Sequence, residues 1–212
     1  MRIAILLLLS GAAASIGCKS AYYSTMEKFG VHKREILVDR VREGRAEQAA
    51  AQEQFQTTFE AFQKLTGFQG GDLEDLYENL SDEYEASEAR ADTVRDRIDS
   101  IQSVAKALFE EWRGEIDEMS DRSIQGQSEK MLADTQARYA ELLSKMKRAA
   151  SKMDPVLAAF KDRVLLLKHN LNARAIDSLR TEELGIHENV EALLRDMQAS
   201  IQEADEFLAA ME

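Results

Sequence analysis

The side chains that most often bind metal ions or transfer protons are few or unfavourably spaced in this sequence. The chain has three histidines, His32, His169 and His187. Metal sites in helical bundles combine a histidine with a glutamate three residues earlier, and none of the three has one. No glycine is followed by lysine, as a phosphate-binding loop requires, and no Gly-x-Ser-x-Gly nucleophile motif occurs. We therefore expect no catalytic residues, no metal and no cofactor.

Carboxylates are concentrated between Asp72 and Glu88, where eight acidic residues occur without a basic one. Oxygen ligands for a divalent cation must converge from a tight loop, whereas along a straight helix they diverge. A solvated helix surface is therefore the favoured interpretation. The alternative is an acidic docking face for a basic partner, which would comprise Glu74, Asp75, Glu78 and Asp82.

The single cysteine, Cys18, follows a segment typical of export signals. Arg2 is followed by an apolar run from Ile3 to Leu9 and then by small residues. The apolar stretch up to Ile16 covers about 14 residues, fewer than the ~20 that span a bilayer, so cleavage is favoured over an uncleaved membrane anchor. An exported protein with one cysteine cannot form an internal disulfide, so another use of Cys18 is expected.

Residues 15–18, Ser-Ile-Gly-Cys, resemble the lipobox of bacterial lipoproteins, although an apolar residue is usual where Ser15 stands. The resemblance implies that Cys18 is the lipidation site, diacylated and then exposed by signal peptidase. Several acyl chains anchor a protein stably where one would not. A free exported thiol is the alternative. Lys19 stands where an aspartate often signals retention in the inner membrane, so the resemblance to sorted lipoproteins favours the periplasmic face of the outer membrane.

Good helix formers dominate the composition, and no run of β-branched residues alternates at period two, so no strand is expected. The helix predicted over residues 72–119 is about 70 Å long and needs antiparallel neighbours of similar length. Its apolar stripe recurs in steps of four and three, as in coiled coils. The stripe comprises Leu73, Tyr77, Leu80, Tyr84, Ser87, Ala91, Val94, Ile98, Ile101, Ala105, Leu108 and Trp112.

A capping box at residues 24–27 predicts the start of the first helix. The stripe of this helix is small and polar in the middle, at Gly44, Gln48 and Ala51, so a partner helix can approach closely there. The stripe then becomes aromatic, which we interpret as core rather than as a ligand pocket. Its aromatic residues are Phe55, Phe59 and Phe62.

Three interruptions divide the rest of the chain. Residues 67–71 form the clearest, with Asp72 as the following N-cap, and the second spans residues 120–128. The third helix contains Pro155, which predicts either a kink or a restart capped by Asp154, and the continuing stripe favours the kink. The last turn is expected between residues 170 and 185. A polar insertion over residues 166–172, which includes Asn170 and Asn172, is interpreted as setting the register of the stripe, with a buried recognition site as the alternative.

The formal net charge of −12 argues against binding to nucleic acid. Residues 19–45, however, contain seven basic and four acidic residues. This segment lies next to the expected anchor, where anionic lipid would favour the basic residues. The expected organisation is a signal peptide over residues 1–17, a lipidated tether over 18–23 and a single helical domain over 24–212. The predicted fold is all-α, an elongated antiparallel coiled-coil-like bundle of about four long helices.

Two segments, CKSAYYSTMEKFGVHKREILVDRV (residues 18–41) and VLLLKHNLNARAI (residues 164–176), resemble an uncharacterised family of Gram-negative proteins, domain of unknown function 2959. The resemblance covers essentially the whole mature chain. It implies an exported helical protein and supplies no catalytic residues.

Three classes of function follow from these features. We expect a structural or interaction protein, bound to the membrane through its lipid anchor and to an envelope protein through its bundle. The alternative is a binding module that holds a small or lipidic ligand between its helices. An enzyme is the third class, for which the sequence offers no residues. Self-association stays open at this point.

Overall fold

The structure is a computed structural model that describes residues 32–70 and 72–211, with the backbone alone at 173 and 181–184. The predicted capping box at residues 24–27 lies outside this part. The described residues form four α-helices: α1 (Lys33–Thr66), α2 (Leu73–Glu118), α3 (Arg122–His169) and α4 (Ala173–Met211). At about 1.5 Å per residue, α2 and α3 are each about 70 Å long. The predicted all-α class is confirmed.

Each helix packs against its sequence neighbours, and α4 closes the ring by packing against α1. Lys33 Nζ, at the start of α1, lies 2.7 Å from Glu111 Oε1 near the end of α2. At the other end of the bundle, Arg180 Nε near the start of α4 donates to the Thr66 carbonyl at the end of α1 over 2.6 Å. Adjacent helices are therefore antiparallel, and the predicted bundle is confirmed.

The heptad stripe of α2 faces the core. Nine of its twelve residues are buried, while Leu73, Tyr77 and Trp112, nearer the helix ends, are half-buried. In the C-terminal half of α2 the buried surface widens to include Val104 and Phe109. None of the described helices contains a stretch both apolar and long enough to span a membrane.

The turn between α1 and α2 lies where the sequence predicts it. Asp72 caps α2, because its Oδ1 accepts a hydrogen bond of 2.9 Å from the Glu74 N–H. Within the turn, Gly70 has a φ of 144°, which side chains with a Cβ rarely adopt.

The turn between α2 and α3 is shorter than predicted. Asp121 Oδ1 accepts hydrogen bonds from the N–H groups of Ser123, at 2.8 Å, and Ile124, at 3.2 Å, so α3 begins at Arg122. Gly126 lies inside the helix rather than in a loop. A glycine in a helix costs about 1 kcal/mol of stability relative to alanine. The Asp121 cap contributes about the same amount and so offsets this cost.

Helix α3 continues through Pro155 without a restart. The alternative in which Asp154 caps a new helix is therefore wrong. Val156 and Phe160, just beyond the proline, remain buried in the core. Packing on both sides holds the helix together although the proline ring removes one backbone hydrogen bond.

The turn between α3 and α4 lies at residues 170–172, at the start of the range 170–185 in which the sequence predicts it. Asn170 caps α3, and its side-chain amide donates to the Leu166 carbonyl over 3.2 Å. Asn172 Oδ1 accepts from the Ala175 N–H at 3.2 Å. Both asparagines are exposed. The interpretation of the insertion as setting register or as a buried site is therefore wrong, because both asparagines lie in the turn between α3 and α4.

Candidate docking surface

The acidic docking face lies on the first three turns of α2, with each of its side chains exposed to solvent. Within residues 32–70 and 72–211, none of these side chains forms an ion pair. Their charges are therefore available to a partner. The face comprises Glu74, Asp75, Glu78 and Asp82.

Other carboxylates of the acidic run accept hydrogen bonds from neighbouring side chains. Glu83 accepts a hydrogen bond of 2.6 Å from Gln54 Nε2, which links α2 to α1. Glu88 accepts one of 3.0 Å from the Tyr84 hydroxyl. Burial of Tyr84, together with this hydrogen bond, raises its pKa to about 12. The run thus divides into carboxylates that accept hydrogen bonds from other side chains and carboxylates that have no such partner among the described residues, a division that charge alone does not reveal.

The aromatic end of α1 is core, as predicted. Phe55, Phe59 and Phe62 are buried. The ring centroid of Phe62 lies 6.4 Å from that of Phe160 on α3, and the centroid of Phe59 lies 5.4 Å from that of His187 on α4. The rings therefore join three helices, and a surface groove of about 420 Å³ lies beside Phe59 and His187.

The middle of the bundle is small and polar. A Cβ at Gly44 would lie 2.8 Å from Ile101 Cδ1 and 3.4 Å from Met146 Cε, so the predicted close approach is confirmed. Gln48 and Ser200 are fully buried. Neither the Gln48 amide nor the Ser200 hydroxyl has a hydrogen-bond partner among the described residues. Polar groups of this kind destabilise a core unless something satisfies them.

The three histidines lie apart from one another. His32 and His169 are exposed, at the start of α1 and the end of α3. His187 packs on Phe59, and its Nε2 lies 3.5 Å from Glu191 Oε1. In the part of the chain that the structure describes, no three His, Cys, Asp or Glu side chains are arranged to hold a metal ion.

Ion pairs between α3 and α4 are a feature that sequence spacing did not reveal. Lys145 pairs with the buried side chain of Glu203, and this hydrogen bond raises the pKa of Lys145. Asp196 Oδ2 lies 2.7 Å from Lys152 Nζ and 3.1 Å from Arg148 Nε. Burial alone would raise the pKa of Asp196, but the two cations outweigh it and lower that pKa. These pairs link α3 to α4.

Two grooves of about 490 Å³ lie on the bundle surface. One runs between α3 and α4 and is lined by charged side chains that include Arg138 and Glu206. The other lies at the start of α1 beside Trp112, whose Nε1 donates to Ser128 Oγ over 2.9 Å. The interior, where a ligand between the helices would lie, is occupied by fully buried side chains such as Met146.

The predicted signal peptide, Cys18 and the tether over residues 18–23 lie outside the described residues. Lipidation and export therefore stay predictions at this point. The described chain begins at His32, at the same end of the bundle as the turn between α2 and α3 and the last residues of α4.

Comparison with known proteins gives one result. A family model described as a protein of unknown function, DUF2959, matches residues 22–211, which include all four helices described above. No curated protein and no solved structure gives a significant match. Because the matched region is nearly the whole chain, the protein belongs to the DUF2959 family.

Proposed function

We propose that this protein is a structural and interaction component of the bacterial cell envelope, held by a lipid anchor at the periplasmic face of the outer membrane. The observation that carries the proposal is the filled interior. Fully buried side chains extend along α1 from Leu37 to Leu65. A bundle with such a core acts through its outer surface, where the unpaired charges lie.

The position of the proposed anchor determines which end of the bundle would lie near the membrane. Cys18 precedes His32 by 14 positions, and a chain of that length spans at most about 50 Å. The anchor would therefore hold the end of the bundle at which α1 begins. The acidic docking face is roughly 60 Å away, because it lies at the opposite end of α2. It would project from the membrane toward a partner.

Lipidation is tested by feeding cells labelled palmitate. We expect label in the parent protein, whereas Cys18→Ala is expected to leave an unlabelled precursor that keeps its signal peptide. Cys18→Ser, which changes the size of the side chain very little, serves as a second variant. Normal processing and membrane fractionation of either variant would contradict the lipoprotein proposal.

The docking role is tested by removing charge from the acidic docking face. Exposed charges steer association and are screened over about 8–10 Å at physiological salt. The variant with Glu74→Gln, Asp75→Asn, Glu78→Gln and Asp82→Asn is expected to keep its helix content by circular dichroism. Its salt-sensitive cross-links to envelope proteins should weaken. If every cross-link of the parent persists, the face is only a solvated surface.

A second candidate function is the binding of a small or lipidic ligand between the helices. The buried polar groups of Gln48 and Ser200, which lack partners in the described residues, favour it. Native mass spectrometry of the purified protein separates the two proposals. A bound species that Gln48→Leu removes would support the binding module, whereas the bare protein mass would support the structural role.

A further inference from the structure

The outer flank of α3 carries an exposed apolar side chain between two lysines. Lys161, Leu165 and Lys168 are spaced by four and three residues, so they share one face of the helix. Leu165 is 48% exposed. Both lysines are exposed, and neither forms an ion pair with any described residue. We call these three residues the α3 strip.

The ion pair between Arg95 and Asp154 identifies the direction in which the α3 strip faces. Asp154, Lys161 and Lys168 follow one another at intervals of seven, so they lie along the flank of α3 beside α2. Because α2 runs antiparallel to α3, the residues of α2 that face this flank precede Arg95 at intervals of seven. Its residues on the facing flank are Glu88, Ser81 and Glu74.

Next to this flank, the outward surface of α2 is acidic. Glu78, Asp82 and Glu85 are exposed and, among the described residues, form no ion pairs. We call these three residues the α2 strip; two of them belong to the acidic docking face. One surface of the bundle therefore presents an acidic strip and a basic, partly apolar strip side by side on neighbouring helices.

We propose that this surface binds a second copy of the chain about a two-fold axis parallel to the helices. The rotation places the α2 strip of each copy against the α3 strip of the other, so that one symmetric interface contains two acid–base contacts. It also removes Leu165 of both copies from water. This inference rests on the proposed function, because it names the partner of the acidic docking face.

The direction of the axis agrees with anchoring in one membrane. Rotation about an axis parallel to the helices keeps the α1 starts of both copies at the same end, so both lipid anchors can enter the same leaflet. Confinement to the membrane raises the effective concentration of the copies, so an interface of modest size is sufficient. An anionic lipid surface fits less well, because it would repel the adjacent α2 strip.

The experiment uses two differently tagged full-length copies in one cell, each with a photo-reactive amino acid in place of Ala158. Ala158 is exposed and lies seven residues before Leu165 on the same flank. Irradiation is expected to link the two tags. Reversing one strip in both copies, by Lys161→Glu with Lys168→Glu or by Glu78→Lys with Glu85→Lys, should reduce the linked fraction about tenfold through like-charge repulsion. When one copy carries the reversed α3 strip and the other carries the reversed α2 strip, the linked fraction should return to that of the parent.

Recovery in the mixed pair also shows that both variants fold. Lys130→Glu, an exposed change near the other end of α3, is the matched control and should leave the linked fraction unchanged. A parent without links between copies, links that survive either reversal, or no recovery in the mixed pair would overturn the proposal. So would binding to phosphatidylglycerol vesicles that needs Lys161 and Lys168 in the absence of such links. Failure of the proposed function is recognised separately, by normal processing of Cys18→Ala.

Discussion

Around Phe62 the core of the bundle contains aromatic rings, whereas around Gly44 helix α1 contributes only a glycine, small side chains and a buried amide to the core. The ring of Phe62 faces Phe160 across the bundle. At Gly44, by contrast, the side chains of Ile101 and Met146 come so close that a Cβ would crowd them. The same four helices thus pack in two different ways along one axis.

The difference indicates that the two regions contribute differently to the fold. Each buried aromatic ring removes a large apolar area from water, at about 25 cal/mol per Å². In the middle, Gly44 and Ala51 of α1 contribute little apolar side-chain area, and the unpaired amide of Gln48 is destabilising. We therefore expect the aromatic end to supply stability and the middle to supply close helix approach.

The largest effect is expected from a charge placed in the middle. Ile101→Asp removes a fully buried apolar side chain and buries a carboxylate, at a cost of about 5 kcal/mol of unfolding free energy. Urea unfolding followed by circular dichroism measures it. Asp96→Lys, on the exposed surface of α2 outside the α2 strip, is the control and should change stability by less than about 0.5 kcal/mol. Equal losses in the two variants would show that the assignment of the α2 faces is wrong.

A somewhat smaller loss is expected at the aromatic end. Phe62→Ala leaves a cavity beside Phe160 and Phe59 and should cost about 4 kcal/mol by urea unfolding. Gln63→Ala, at the exposed neighbouring position, should have little effect. A loss of about 1 kcal/mol or less for Phe62→Ala would contradict the large apolar contribution expected of the aromatic end.

Much of this architecture follows from periodicity in the sequence. The heptad spacing from Leu80 to Leu108 identifies the buried face of α2, because a 3.5-residue repeat keeps one stripe turned toward its partners. Small residues at Gly44 and Ala51 likewise predict the close approach. A run of glycines and Asp72 locates the first turn, since local backbone chemistry alone determines it.

Other features depend on contacts that periodicity does not contain. The pairing of Arg45 with Asp205, 3.0 Å apart, requires knowledge of which helices are neighbours. Asn170 continues the helical spacing, so its role as a cap becomes visible only once the chain is seen to turn there. In the sequence the acidic run is one feature, but in the structure Glu88 accepts a hydrogen bond from the Tyr84 hydroxyl, whereas Glu78 has no hydrogen-bond or ion-pair partner among the described residues.

A gain in stability is expected when the buried amide in the middle is removed. Gln48→Met keeps the length of the side chain and replaces an amide that has no partner among the described residues, so it should stabilise the bundle by about 1 kcal/mol. Gln52→Met is a control, because the Gln52 amide donates to the Leu194 carbonyl over 3.1 Å and its loss should not stabilise. A loss of stability in Gln48→Met would show that ordered water satisfies the amide.

The smallest effect is expected at Gly44, where two contributions oppose each other. Alanine is better than glycine inside a helix by about 1 kcal/mol. The new Cβ must displace Ile101 Cδ1 from 2.8 Å, and turning a side chain partly off its rotamer costs about 0.5–1.5 kcal/mol. Gly44→Ala should therefore change the unfolding free energy by less than about 0.5 kcal/mol. Gly126→Ala is the matched control, because a Cβ there meets no atom within 4 Å, so it should show the full gain of about 1 kcal/mol. If both alanine variants are stabilised equally, the side chain of Ile101 is not held against α1, and the middle of the bundle is looser than its small residues indicate.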